Sequence, residues 1–209
     1  MEIGEKRFRL GARESMFIPR NVEHAWTAVS SPAKIINTYR DNKLFEIYNG
    51  HPTVNNLGGG GVPGLEEAWD AILTRGKLLY GVAVDDAHIF KRPWDKTAAR
   101  PGQGWVAVRS PRLEAQAIMD SLERGDFYAS TGVELSDYRV DGSSITVTVR
   151  EEESCKYRIQ FIGEGGHVLK EALSSPASYT FQGQERYVRA RVLESNGRIA
   201  WTQPVMRQQ

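Results

Sequence analysis

An acidic pair and a histidine come directly after an apolar run near the middle of the chain. Asp85, Asp86, Ala87 and His88 follow the run from 78 to 84. Side chains two apart on an extended backbone point to the same side, so Asp86 and His88 are expected to reach one ion. A carboxylate oxygen and a neutral imidazole nitrogen suit zinc, manganese or iron. The spacing therefore predicts a divalent-metal site, and a solvated loop start is the alternative interpretation.

The segments around this motif alternate between strand and helix. Apolar runs predict strands at 44–48, 78–84 and 105–109, and helical periodicity with capping residues predicts helices at 64–76 and 110–125. Such alternation is typical of a parallel α/β sheet or barrel. Barrels of this class carry their active sites at the C-terminal ends of the strands, which is where Asp86 and His88 fall.

Beyond about residue 140 the pattern changes to short alternating strands without helices between them. The Asn196-Gly197 pair is a strong hairpin signal between two of these strands. We predict a small antiparallel, sandwich-like β domain over 141–209, with its boundary near Asp141-Gly142. A minor alternative places the function in this domain, with carbohydrate or a partner protein bound through four aromatic residues: Tyr157, Tyr179, Tyr187 and Trp201.

Several segments, in this order and spacing, resemble the later part of PHP (polymerase and histidinol phosphatase) family phosphoesterases, in particular the branch with an appended C-terminal β domain. They read FEIYNGHP, WDAILTRGKLLYGVAVDDAH, GWVAVR, AIMDSLERGDFYASTGVEL and, in the β domain, YRIQFIG, YVRARV and AWTQPV. The resemblance implies a partial PHP-type (β/α) barrel over 1–140, poorly defined over 1–43, followed by the β domain.

The same resemblance implies a metal-dependent phosphoesterase acting on a small phosphorylated substrate. Asp86 and His88 correspond to the family's last pair of metal ligands, for zinc, manganese or iron. Asn49 and His51 face the same mouth of the barrel and are predicted to bind substrate, although His51 serves equally well as a residue that organises its loop. Glu46, within the strand, is interpreted as structural.

A basic loop follows the Asp86–His88 pair. Lys91 and Arg92 are predicted to bind substrate by neutralising its phosphate, with Lys96, Arg100 and Trp94 nearby. Long loops at the mouth of a barrel are often functional. A solvated surface loop is the alternative.

The sequence departs from the family at the other metal ligands. Its four histidines are His24, His51, His88 and His167, and neither a His-x-His nor a Thr-Asp-His motif occurs. Laid on the family pattern without gaps, PRNVEHAWT puts Pro19-Arg20 at the ligand dipeptide, so His24 is not the family ligand in that register. A shifted register that recruits His24 is the alternative. Either two ligands retain the metal, or the chain is a truncated or degenerate member that serves as a non-catalytic binding or assembly module.

A barrel that begins at Met1 has room before Leu44 for one or two strands of the missing half. Its sheet would expose unpaired edges unless residues 1–43 or another chain cover them, or unless a longer protein supplies the missing strands. We therefore predict either self-association into a homo-oligomer or marginal solubility.

Composition excludes some classes of partner. The formal net charge is +1 and the sequence pI is about 7.9, so no net field attracts nucleic acid or an anionic membrane. The single cysteine, Cys155, forms no internal disulfide and is interpreted as structural. The charged first twenty residues predict a cytoplasmic protein as written, and export of a longer gene product is left open.

Overall fold

The computed structural model describes residues 2–3, 6–7, 24–25, 43–88 and 97–207, with side chains described in the last two ranges. The chain divides into two compact units, Met1–Asn42 and Lys43–Gln209. In the first unit three short strands, β1 (Glu2–Ile3), β2 (Lys6–Arg7) and β3 (His24–Ala25), form an antiparallel sheet with β1 at its centre.

Strands dominate the described part of the second unit. In chain order its elements are β4 (Leu44–Asn49), α1 (Leu65–Thr74), β5 (Tyr80–Val84), β6 (Trp105–Val108), α2 (Ala115–Arg124), β7 (Phe127–Ser130), β8 (Leu135–Val140), β9 (Ser144–Val149), β10 (Tyr157–Ile162), a 3-10 turn (Glu164–Gly166), β11 (Val168–Ala172), β12 (Ala177–Thr180), β13 (Tyr187–Glu194), β14 (Ile199–Thr202) and β15 (Val205–Met206). None of the helices described is long and apolar enough to cross a membrane.

The predicted strand, helix and strand over 44–84 are confirmed. β4 and β5 pair in parallel, and α1 connects them. The α1 side chain of Trp69 is fully buried and donates a hydrogen bond from Nε1 to the Leu79 carbonyl oxygen, 2.8 Å away. Gly81 lies under this ring, and a Cβ there would approach it to 2.9 Å. The helix therefore packs on β5 because Gly81 leaves room for the indole.

The predicted (β/α) barrel is wrong. Parallel pairing is confined to β4 and β5 in the described residues, and strand residues outnumber helical ones, 39% against 15%. β6 pairs antiparallel with β7, with Val108 opposite Phe127, so the segment containing α2 leaves and returns at the same end of the sheet. A helix can connect two antiparallel strands as well as two parallel strands. Strand–helix alternation in the sequence therefore does not distinguish the two arrangements.

The sandwich-like β region is consistent with its prediction. One sheet has seven strands in the order β11-β10-β13-β14-β7-β6, with β15 on β13, and the other has the order β12-β9-β8. Buried residues of both sheets share one core, including Ile145 and Val147 of β9, Phe161 of β10 and Val192 of β13. Each sheet combines strands from before and after residues 140–141 in the sequence, since β7 pairs with β14 and β8 pairs with β9.

Two sets of buried polar contacts join the β-α-β unit to the sandwich. Asp70 on α1 accepts hydrogen bonds from Arg189, at 2.6 and 2.8 Å, and from Tyr187 at 2.9 Å. The side-chain amide of Gln203 accepts from the Gly81 N–H at 2.7 Å and donates to the Gly81 carbonyl at 2.9 Å. The sandwich thus holds β5, the strand that leads into Asp85–His88, from the side.

Three of the four aromatic residues considered for a binding surface lie in the interior. Tyr179, Tyr187 and Trp201 are buried, with 8%, 0% and 3% exposure, and Tyr157 is half-buried. Tyr179 packs on Phe161 with ring centroids 5.8 Å apart. These side chains stabilise the core and do not form an exposed aromatic surface.

Candidate functional site

The candidate site lies where β4 and β5 end. Asn49 is the last residue of β4 and pairs with Val84, the last residue of β5. The Gly50 N–H extends this pairing with a 2.8 Å hydrogen bond to the Val84 carbonyl oxygen. Because the strands are parallel, the residues that follow both of them, including His51 and Asp86, emerge at one edge.

Asp86 and His88 lie side by side, although the extended backbone assumed from the sequence is absent. Asp86 has a φ of 52°, a left-handed conformation that aspartate tolerates better than most residues. The backbone turns there, and His88 Nδ1 comes within 2.6 Å of the Asp86 carbonyl oxygen and 3.7 Å of its Oδ1. Both side chains are about half exposed, 47% for Asp86 and 59% for His88, so a ligand has access to them.

The hydrogen bond of His88 fixes which ring nitrogen is free. A carbonyl oxygen only accepts, so Nδ1 of His88 carries the proton that it donates to Asp86. The neutral ring then presents an unprotonated Nε2, which is one of the two ring nitrogens through which histidine can bind a metal. Metal-binding histidines in proteins commonly donate their other N–H to a carbonyl or carboxylate in this way.

His51 has the opposite arrangement. Its Nδ1 accepts the backbone N–H of Thr53 at 3.3 Å and lies 2.9 Å from the Thr53 hydroxyl. In the neutral ring the proton is therefore on Nε2, which becomes a donor. The His51 and His88 rings are parallel within 5°, with centroids 5.5 Å apart. His88 thus offers a lone pair at Nε2, whereas His51 offers an N–H at the same ring position.

Asn49 connects the two strand ends. Its side chain is 7% exposed, and Nδ2 donates to Glu46 Oε1 at 3.1 Å and to Asp86 Oδ2 at 3.3 Å. Its Oδ1 accepts the backbone N–H of His51 at 2.8 Å. These contacts position Asp86 and His51, while a direct contact of Asn49 with substrate stays a prediction. Glu46 is exposed and contributes to the cluster by accepting from Asn49.

Asp85 is a positioning residue that the sequence did not single out. Its Oδ2 accepts the Gly102 N–H at 2.8 Å and its Oδ1 accepts the Ala87 N–H at 3.3 Å. The first contact ties the segment 97–104 to the end of β5, and the second shapes the turn that contains Asp86. The sequence offered one signal for this role, which was the pair of adjacent acidic residues. In the structure Asp86 turns its carboxylate toward Asn49 and His88, whereas Asp85 turns away to accept backbone N–H groups.

Lys91 and Arg92, predicted to bind substrate, lie outside the described residues, as do Lys96 and Trp94. Arg100 is described, and its side chain is exposed. It lines a cavity of about 340 Å³ together with Gly50, Pro52, Ala98 and Gln103. A cationic residue of the predicted basic loop is therefore present next to the strand ends.

The Asp86–His88 pair has no preformed third protein ligand in the described ranges. In those ranges, one group of three side chains has ligand atoms close enough to share an ion. It lies in the β region and consists of Glu152, Cys155 and Glu194. The Cys155 thiol donates to Glu194 at 2.8 Å, and this hydrogen bond raises the pKa of the thiol. A protonated thiol is a poor ligand, and the contact is accounted for as a local hydrogen bond.

Comparison with known proteins gives no further identification. No family model, curated protein or solved structure matches the chain at a significant level.

Proposed function

We propose that the protein is a PHP-like metal-dependent phosphoesterase whose divalent ion is held by Asp86 and His88. The observation that supports this most directly is the 2.6 Å hydrogen bond from His88 Nδ1 to the Asp86 carbonyl oxygen. It leaves the Nε2 lone pair of His88 free and orients the ring beside an accessible carboxylate. The resemblance of the sequence to PHP phosphoesterases supports the proposal independently of the geometry.

The donor set fits a divalent ion of the predicted kind. One carboxylate and one imidazole nitrogen suit zinc, manganese or iron(II) better than magnesium or calcium, which prefer oxygen ligands. When bound, such an ion supplies Lewis acidity toward a phosphate ester and makes water a better nucleophile. Hydrolysis then adds water across a P–O bond and releases an alcohol and a phosphate.

The neighbouring residues have separate roles in this proposal. His51 donates its Nε2–H to a phosphoryl oxygen, which holds the substrate and stabilises the negative charge that builds up there. Asn49 fixes the Asp86 carboxylate through the 3.3 Å hydrogen bond and thereby keeps one of its oxygens in place. Lys91 and Arg92 are proposed to add positive charge near the phosphate.

A second candidate function is that of a binding module, which retains the Asp86–His88 pair but does not catalyse hydrolysis. The observation that favours it is the ligand count, because no third side chain among the described residues joins Asp86 and His88, whereas catalytic zinc sites in proteins generally have three protein ligands. An ion held by two ligands binds more weakly and retains more water. The module would then recognise an anionic ligand through the ion without hydrolysing it.

Metal analysis and hydrolysis assays separate the two candidates. The purified chain would be assayed with p-nitrophenyl phosphate and bis(p-nitrophenyl) phosphate, with and without added manganese or zinc, beside Asp86→Asn and His88→Gln variants. His167→Gln is the matched control, since His167 is exposed and lies in the β region. Metal-dependent hydrolysis that both site variants lose supports the phosphoesterase. Metal binding without hydrolysis supports the binding module, and wild-type metal content in both site variants would exclude both.

A further inference from the structure

Three side chains with metal-binding atoms, those of Glu152, Cys155 and Glu194, meet where β10 begins and β13 ends. Tyr157, the first residue of β10, pairs with Glu194, the last residue of β13. Glu152 and Cys155 belong to the turn that leads into β10, and the Cys155 N–H donates to the Glu152 carbonyl oxygen at 3.0 Å. The ligand atoms of the three side chains all lie within 4.8 Å of one another. The pairing of β10 with β13 thus assembles this cluster.

Backbone contacts fix the turn that carries two of these side chains. The Glu152 N–H donates to the Tyr157 hydroxyl at 3.2 Å. Lys156 and Ser195 are joined twice, since the Ser195 N–H donates to the Lys156 carbonyl oxygen at 2.8 Å and the Lys156 N–H donates to the Ser195 hydroxyl at 3.1 Å. The turn is therefore attached to the ends of both strands, and these contacts hold its side chains near Glu194.

Glu194 is a buried carboxylate without a cationic partner among the described residues. Its exposed fraction is 5%, the same as that of Asp70 and of Glu185. Asp70 is paired with Arg189, and Glu185 accepts three hydrogen bonds. Within residues 43–88 and 97–207 the Glu194 carboxylate has the Cys155 thiol as its hydrogen-bond partner, 2.8 Å from Oε1. Since buried charges in proteins are paired or coordinate a metal, the contacts of Glu194 point to a metal ligand.

The spacing of the ligand atoms fits a tetrahedral ion. Cys155 Sγ lies 2.8 Å from Glu194 Oε1 and 4.0 Å from Glu152 Oε2. Zinc binds sulfur at about 2.3 Å and carboxylate oxygen at about 2.1 Å, which in a tetrahedral site puts sulfur and oxygen about 3.6 Å apart. The two observed distances lie on either side of this value, so small side-chain rotations place all three atoms around one ion. Glu152 is exposed, which gives an incoming ion access to the cluster.

We infer that Glu152, Cys155 and Glu194 bind a divalent ion that accepts thiolate, zinc or cobalt(II), at a site separate from Asp86 and His88. Thiolate selects such ions over magnesium and calcium, which prefer oxygen ligands. Binding transfers the Cys155 thiol proton to solvent, and the thiolate and two carboxylates coordinate the ion. The thiol–carboxylate hydrogen bond is therefore the metal-free form of the cluster. A bound ion attaches the turn before β10 to the end of β13.

Cobalt(II) titration of the purified full chain tests the inference, because thiolate bound to cobalt(II) gives a charge-transfer absorption band in the near ultraviolet. Cys155 is the one cysteine of the chain, so any such band reports on it. We expect a saturable band that zinc removes by displacing cobalt. Cys155→Ser should abolish the band, and Glu194→Gln should weaken cobalt binding at least about 10-fold. Glu153→Gln is the matched control that should keep wild-type affinity, since Glu153 is an exposed glutamate of the same turn.

The variants also separate this site from that of Asp86 and His88. His88→Gln should retain the band, and its loss in that variant would overturn the inference, as would the absence of a band in the wild type. Wild-type cobalt affinity of Glu194→Gln would overturn it too, by showing that the buried carboxylate is not a ligand.

Alkylation of wild-type Cys155 by N-ethylmaleimide gives a readout that needs no variant. The thiolate is the nucleophile in this reaction, so an ion bound to the sulfur slows it. Zinc should protect the thiol and magnesium should not, and equal alkylation rates with the two ions would overturn the inference. A negative result leaves the phosphoesterase proposal standing, because hydrolysis is assigned to a different cluster.

Discussion

The imidazole rings of His51 and His88 lie parallel, with centroids 5.5 Å apart, yet their Nδ1 atoms have opposite hydrogen-bonding roles. His88 donates from Nδ1 to a carbonyl oxygen, and His51 accepts at Nδ1 from a backbone N–H. The two rings therefore expose different Nε2 atoms, a lone pair on His88 and an N–H on His51. Two histidines of one cluster are thus expected to differ in function.

The first prediction separates these two roles. His88→Ala should lower the affinity for zinc by at least about 10-fold, since it removes one of two protein ligands. His51→Ala should leave zinc affinity unchanged and raise KM for a phosphate ester, because its N–H is proposed to contact the substrate. Competition with a chromogenic chelator measures the affinity, and His167→Ala is the control. Equal loss of zinc in the His51 and His88 variants would contradict the assignment.

The second prediction concerns the link between Gln203 and Gly81. Gln203 is 3% exposed and is hydrogen-bonded to both backbone groups of Gly81. Gln203→Ala should lower the free energy of unfolding by about 1–3 kcal/mol, because it leaves a buried N–H and a buried carbonyl without partners. Urea unfolding measures the loss.

Gln116→Ala provides the matched control for Gln203→Ala. Gln116 is exposed on α2 and donates to Asp120, four residues later, at 2.7 Å. Its removal should change stability by no more than about 0.5 kcal/mol. A similarly small effect of Gln203→Ala would show that the amide does not hold β5 in place.

Local sequence patterns predicted the elements that carry the site. The apolar runs before Asn49 and Asp85 gave β4 and β5, and Gly76 and Gly125, with φ of 81° and 78°, follow the two helices as expected for helix ends. The grouping of polar residues at the strand ends could also be predicted, because neighbouring parallel strands bring their C-terminal ends to one edge of the sheet. The predicted start of the second helix at residue 110 was wrong, since α2 begins at Ala115 and the Ser110 hydroxyl donates to the Arg112 carbonyl oxygen instead of capping a helix.

Strand direction and long-range pairing were beyond local patterns. The periodicity of 105–130 does not distinguish a parallel crossover from the antiparallel β6–β7 pair that the structure contains. The bonds from Gly81 to Gln203 and from Asp70 to Arg189 span 122 and 119 residues. The left-handed backbone of Asp86 was equally invisible, because aspartate adopts both extended and left-handed conformations.

The third prediction concerns Asp70 and Arg189, an ion pair whose side chains are 6% and 1% exposed. Asp70→Ala should lower the free energy of unfolding by about 3–5 kcal/mol, because Arg189 would lose its closest carboxylate while remaining buried. The double variant Asp70→Ala, Arg189→Met should recover part of this loss, since it also removes the buried charge. Thermal and urea unfolding measure both. A double variant no more stable than Asp70→Ala alone would contradict this explanation.

The fourth prediction uses Glu66, which accepts from Arg189 at 2.7 Å and from Arg191 at 3.0 Å. Burial raises the pKa of this carboxyl, but the two guanidinium groups outweigh burial and hold the pKa below its ordinary value of 4.5. A carboxyl whose pKa is lower in the folded state stabilises the fold above its unfolded pKa. That stabilisation is lost as the pH falls through the folded pKa.

Glu66→Gln should therefore lower the free energy of unfolding near neutral pH and reduce its further decline below about pH 4.5. Glu67→Gln is the matched control, because Glu67 is the next residue in the first turn of α1, is exposed, and has no ion pair within 43–88 and 97–207. Urea unfolding across the acidic range, measured for both variants and the wild type, gives the pH dependence. Other carboxylates also titrate in this range, so the effect of Glu66 is read from the difference between the two variants. Identical curves for Glu66→Gln and Glu67→Gln would show that the two arginines do not stabilise the Glu66 carboxylate.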